Sequence, residues 1–201
     1  MRIPGDNPFA SHHIRPGAVP FLFPADQSLS QILERFRSSG WRGQIVGGHG
    51  TGKSTLLVAL ARALEAADHV VRFEQLPAGR QRLPAGLLHW EPGSSPLDRP
   101  PILLLDGAER LWPWSRWWLG RQLRRQGWGL IAAAHRPLGL STLYRTRPTP
   151  ELASRVIAHL AAEASVPADL ATRLRRRGGD LRAVLFDLYD EHERMRRGRP
   201  K

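Results

Sequence analysis

The sequence predicts an α/β fold, a parallel sheet flanked by helices, followed by a small three-helix domain. Three observations predict it. Apolar strand patterns alternate with helical ones as far as Ala134, which implies parallel strands with helices on both faces. Ile102-Leu103-Leu104-Leu105 is an unbroken apolar run, the pattern of a strand buried on both sides. From about Pro150 onward the patterning holds only three short amphipathic helices, a shift that marks a second unit.

Residues 1–26 are rich in proline and glycine, with Phe21-Leu22-Phe23 as an apolar anchor, and read as an extended N-terminal arm lying against the core. Ser28 to Ser39 has helical spacing through Leu29, Ile32, Leu33 and Phe36, with Ser28 as its cap. A short strand at Gln44-Ile45-Val46 leads through a glycine-rich loop into a helix ending near Ala67. His69 to Phe73 reads as the second strand. Pro77 to Pro100 is too broken by proline and glycine for a regular element, and a loop of that length is often functional. After the strand ending at Asp106, a tryptophan-rich helix is expected over Leu111 to Gln126, with Trp114 and Trp118 packed on the sheet at i, i+4 spacing. Gly129 to Ala134 is a further strand, and Arg136, Arg145 and Arg147 follow in a proline-broken segment, each a candidate to approach phosphate of its own or a neighbouring subunit. The expected boundaries are 1–26 for the arm, 27–149 for the α/β domain, 150–194 for the helical lid and 195–201 for a basic tail.

At 201 residues the chain buries one substantial core. It has no cysteine, which excludes disulfides and thiolate metal sites and suits a reducing, cytoplasmic compartment. No apolar stretch is long enough for a membrane span, and with no basic-then-apolar pattern at the start no signal leader is expected. The formal charge is +12, yet lysine occurs only at Lys53 and Lys201 among 30 basic residues. So strong an arginine bias inflates the charge without choosing a partner. Nucleic acid and an acidic protein surface both stay open.

The loop is the most specific signal. Gly47-Gly48-His49-Gly50-Thr51-Gly52-Lys53-Ser54 is a complete G-x-x-x-x-G-K-[ST] motif between a strand and a helix, with Thr55 next in the helix. Its glycines let backbone amides turn inward onto phosphate, and the helix N-terminus adds a favourable dipole. Lys53 is expected on the β/γ phosphates and Ser54 on magnesium, so the motif calls for ATP or a similar triphosphate with Mg2+. A P-loop NTPase sheet follows from it. Asp106 ends the buried strand at the carboxyl edge, where a carboxylate holds magnesium opposite Ser54. Glu109 is either the acid that orients the attacking water or a charge favouring a helix dipole. His135 ends the next strand, placed to face the terminal phosphate. Near the C-terminus Asp180 caps a helix in Gly178-Gly179-Asp180-Leu181-Arg182, with Arg182 on its first turn.

This order of parts resembles the AAA+ ATPases, and Gly-Asp-Leu-Arg is similar to the lids of the clamp-loader and origin-recognition branches. The resemblance covers residues 27 to 190. It implies the first sensor position for His135, and for Arg182 the second sensor, touching the γ-phosphate from the lid. The adjacent acidic pair of most members is absent. Asp106-Gly107-Ala108-Glu109 looks more like the pattern of NACHT-type ATPases, which act as slow switches. The guanine-reading motif of GTPases needs an asparagine where none is present, since Asn7 is the only one, and no Leu-Ser-Gly-Gly-Gln transporter signature occurs. Two alternatives stay open: a P-loop small-molecule kinase, and a non-hydrolysing, ATP-dependent module for nucleic-acid or protein interaction. A protein partner or self-assembly is expected to use the Trp112–Trp118 segment if its indoles are not core, and base stacking is a further use for them.

Overall fold

The computed structural model describes residues 7–77, 79, 81, 83, 99–161 and 166–197. Five strands form one parallel sheet: β1 (Arg42–Gly47), β2 (Val71–Gln75), β3 (Ile102–Asp106), β4 (Gly129–Ala134) and β5 (Thr142–Thr146), in the order β2-β3-β4-β1-β5. The apolar runs of β3 and β4 work because both faces are covered. Ile102, Leu104, Ile131 and Ala133 point to one side, and Leu103, Leu105, Leu130 and Ala132 to the other. Helices α2 (Leu29–Ser38) and α3 (Lys53–Ala66) bury Ile32, Phe36, Leu56, Leu57 and Leu60 against the first side. Helix α4 (Pro113–Arg125) buries Leu119 and Leu123 against the second. The short helix Ser11–Ile14 is α1.

Ser28 caps α2 in a reciprocal box with Gln31, as expected for a serine before an amphipathic run. The second strand starts two residues later than its apolar pattern suggested. His69 is spent on closing α3: Asp68 is left-handed, with φ 60°, and the His69 amide donates to Leu64 O at 3.0 Å. Most of the Pro77 to Pro100 segment lies outside the described residues.

Two expectations are corrected. The 136–149 segment, to which the sequence reading gave no strand, holds one, because Thr142–Thr146 forms the edge strand β5 beside β1. Its β-branched and aromatic residues suit a pleated edge. Buried Gln44 secures the approach, donating to Leu140 O at 2.7 Å and accepting from the Leu138 amide at 2.7 Å. Secondly, Trp114 and Trp118 do not pack on the sheet. They are 69% and 45% exposed, while Trp112 and Trp117 are 59% and 51% exposed. The helix starts at Pro113, a favoured first position, and its buried stripe is Leu119 and Leu123 flanked by Leu111 and Trp128. That register turns the indoles outward.

Helices α5 (Pro150–Leu160), α6 (Leu170–Arg176) and α7 (Leu181–Arg197) share a separate core of Ala153, Ile157, Leu160, Leu170, Leu174, Val184, Leu185 and Leu188. Helix α7 runs past residue 194, so the start of the expected tail is helical. The arm touches both cores, and it is interrupted by α1. Phe9 is buried among the three helices, and Asn7 donates to Tyr189 O and Glu193 Oε1 at 3.1 and 3.0 Å. Phe21 and Phe23 instead meet Tyr144 edge-on, with ring centroids 5.7 and 5.9 Å away. Among the described residues no helix is long and apolar enough to cross a membrane.

Candidate nucleotide-binding site

The phosphate-binding loop joins β1 to α3 at the carboxyl edge of the sheet, and its turn needs left-handed backbone at Gly50 and Gly52, with φ of 60° and 93°. Gly50 has a second constraint. A Cβ there would lie 1.7 Å from Asp180 Oδ1 and 3.0 Å from the Arg182 Cβ, so the start of α7 sits directly on the loop. Asp180 holds that helix end by accepting from the Ala183 amide at 2.9 Å. Thr51 is tied to the edge strand by a 2.6 Å hydrogen bond with Thr146, and Gly48 O accepts from the same Thr51 hydroxyl at 3.0 Å.

One cleft is lined by His49 to Thr55, Asp106, Glu109, His135 and Arg182. Within it Lys53 is 8% exposed, and its ammonium donates to Gly47 O at 2.9 Å and Gly48 O at 2.5 Å. Burial holds Lys53 below the usual lysine range, against the opposing pull of Asp106 and Glu109. Ser54 Oγ donates to Asp106 Oδ2 at 2.6 Å, so the hydroxyl and carboxylate expected on magnesium already face each other. Gly107, at φ 77°, turns the chain tightly enough that Glu109 points back into the cleft.

His135 joins the two halves of the site. Its Nδ1 is 3.2 Å from Lys53 Nζ, and its Nε2 is 3.3 Å from Glu109 Oε1. A neutral ring protonated on Nε2 satisfies both, accepting from the ammonium and donating to the carboxylate. Nδ1 is also 3.2 Å from Gly47 O, but that carbonyl already accepts from Lys53. The His49 ring lies against it, with centroids 3.7 Å apart. Burial, then the Lys53 charge, push the His135 pKa below the usual 6.5, while Glu109 opposes them. The contribution of such a group to stability is present above about pH 6.5 and is lost as pH falls to its folded midpoint, because the unfolded chain protonates first. An NMR titration of His135 is expected to show a midpoint below 6.5 without nucleotide. Triphosphate is expected to raise that midpoint by adding negative charge nearby, and an unmoved midpoint would separate His135 from the phosphates.

The donors fit a hydrated magnesium ion. Among the described residues no cluster of three or more His, Cys, Asp or Glu makes an all-protein cage. One hydroxyl and one carboxylate facing an open cleft are what Mg2+ uses when phosphates and water complete its shell. Glu109 Oε2 is buried without a hydrogen-bond partner, a cost that a bound water in the cleft removes.

Parts of the site escaped the sequence reading. Gln75 reaches Asp106 Oδ2 at 3.5 Å, and Arg110, lining the same cleft, donates to Leu76 O. Beside the loop opens a more apolar cavity, lined by Val19 and Phe21 of the arm, Leu152 and Val156 of α5, and Leu181 and Leu185 of α7. The Phe21 ring comes within 3.2 Å of where a Cβ on Gly52 would stand. Arg136, Arg145 and Arg147 are exposed, and none of them lines the cleft.

No protein-family model matches the chain, and no curated protein does. Solved structures do. The crystal structure of Cdc6p from Pyrobaculum aerophilum superposes with a TM-score of 0.60 at 18% identity, covering 96% of this chain and 66% of that one. A second similar structure is the replication initiator DnaA bound to AMPPCP and single-stranded DNA, with a TM-score of 0.48 and 17% identity over 84% of this chain and 63% of that one. This chain therefore spans under two thirds of either. The likeness to Cdc6p establishes the fold, a five-stranded parallel P-loop NTPase sheet flanked by helices, in agreement with the class read from the sequence.

Proposed function

We propose that the protein binds ATP with Mg2+ and hydrolyses it slowly, working as a nucleotide-driven switch or assembly factor. The observation that carries this is convergence. The phosphate-binding loop, the carboxylates at and just after the end of β3 and Arg182 of the three-helix unit all line one cleft. In this reading the loop amides and Lys53 hold the phosphates, and Ser54 and Asp106 would hold magnesium, which would supply positive charge to the phosphates. Glu109 orients the attacking water and takes its proton on Oε2, the oxygen with no partner. His135 holds Oε1 and keeps the carboxylate aligned. The apolar cavity against Phe21 and the α5/α7 side chains suits the adenine ring.

Slow turnover follows from Gly107, which stands where most AAA+ members carry their catalytic acid, and from a Glu109 already engaged by His135. The cysteine-free composition supports a cytoplasmic setting.

The test is whether Arg182 reads the γ-phosphate. An arginine on the first turn of α7 distinguishes ATP from ADP by pairing with charge that only the triphosphate presents. Arg182→Ala is expected to weaken ATP more than ADP in calorimetric titrations with magnesium. Equal losses would make Arg182 a solvated partner of the loop and remove the lid from the switch.

A further inference from the structure

Helix α4 has two unlike sides. Inward it presents Leu119 and Leu123. Outward it presents Trp114, Trp117 and Trp118 over its first turns, followed by Arg121, Arg124 and Arg125, all exposed. The helix, Pro-Trp-Ser-Arg-Trp-Trp-Leu-Gly-Arg-Gln-Leu-Arg-Arg, has no acidic residue. Trp114 and Trp117 are stacked, with centroids 4.8 Å apart and planes 25° apart, and the Arg121 guanidinium lies 5.9 Å from the Trp117 ring centre. Three large indoles held in water on one ridge mark an interaction surface rather than scatter.

Charge narrows the occupant. A second copy of a chain carrying +12 would bring like charge against this ridge. A strand of single-stranded nucleic acid offers both things the surface asks for, namely flat bases for the indoles and a phosphate chain for the arginines. A duplex offers phosphates but keeps its base faces stacked inside. From Trp114 to Arg125 the ridge is about 16 Å long at about 1.5 Å per residue, room for roughly five nucleotides at a rise of about 3.4 Å.

We propose that the outer face of α4 binds single-stranded nucleic acid, with bases stacking on Trp114, Trp117 and Trp118 and phosphates on Arg121, Arg124 and Arg125. This stands apart from the nucleotide reading, although Glu109 lies in the turn that leads into α4, so the two sites are neighbours along the chain.

The experiment uses the full chain and a fluorescein-labelled oligothymidylate, followed by anisotropy without nucleotide, so that failed ATP binding cannot affect it. The wild type is expected to bind the oligonucleotide with quenching of tryptophan emission. Trp114→Ala/Trp117→Ala is expected to weaken it by at least about tenfold. Arg121→Ala/Arg124→Ala/Arg125→Ala is expected to lower the slope of log affinity against log salt by about 2. All five substituted side chains are exposed, and circular dichroism checks that the variants stay folded. No binding by the wild type overturns the proposal. So does equal affinity of the tryptophan variant, which would leave only a generally basic surface. Equal competition by a duplex of the same length also overturns it, as does tryptophan-dependent self-association in sedimentation without oligonucleotide binding, which would assign the ridge to a second copy.

Discussion

Glu109→Gln is expected to leave ATP binding near the wild-type value and to slow steady-state turnover by about 10²-fold or more. The amide keeps the size of the side chain and can still contact the His135 ring 3.3 Å away, so the fold of the turn survives. What is lost is the basic oxygen, Oε2, which has no hydrogen-bond partner and is the atom free to take a proton from water. Asp106→Ala acts on a different atom and is expected to abolish magnesium-dependent hydrolysis, because it removes the carboxylate that accepts from Ser54 at 2.6 Å. Phosphate release over a magnesium titration checks both. If Glu109→Gln turns over like the wild type, the acid is a helix-end charge, and the base must come from a partner or hydrolysis is not the purpose of the site.

Lys53→Ala is expected to weaken ATP binding by at least tenfold, the loss of a charge-assisted contact worth about 1.5–3 kcal/mol. The ammonium is nearly buried and rests on Gly47 O and Gly48 O, so the substitution also strips two loop carbonyls of a donor. Thermal unfolding without nucleotide separates a disturbed loop from a lost ligand contact. Calorimetry that returns unchanged affinity would remove the loop from the nucleotide site. Lys53→Arg is a poor substitute, because a planar guanidinium does not fit the place where a slim ammonium folds back over the loop.

Local rules made much of this molecule legible from residue order. The Ser28 cap, the left-handed glycines of the loop, the Asp180 cap and the unbroken apolar strand ending at Asp106 each depend on neighbours within a few positions. The α/β class followed from those elements and their alternation. The edge strand β5 was not legible, because its pairing is set by β1, almost 100 positions away, and by the buried Gln44 that draws the preceding segment under the sheet.

The tryptophans show the same limit on a larger scale. Spacing says that Trp114 and Trp118 share a face but not which way the face turns. The leucines of α4 and the position of Pro113 decided that, leaving the indoles in water. The apolar cavity joins residues of the arm to residues of α5 and α7, and no local signal connects Phe21 with Leu185. The sequence by itself determined the glycine-rich loop between β1 and α3, the strand-end acid and the helix caps, since each is set within one turn of backbone. Only the tertiary structure decided that Glu109 and Lys53 meet through His135, that Asp180 and Arg182 rest against Gly50, and that α4 faces outward with its tryptophans. Those contacts come from packing between distant segments, and packing depends on shape in three dimensions rather than on spacing along the chain.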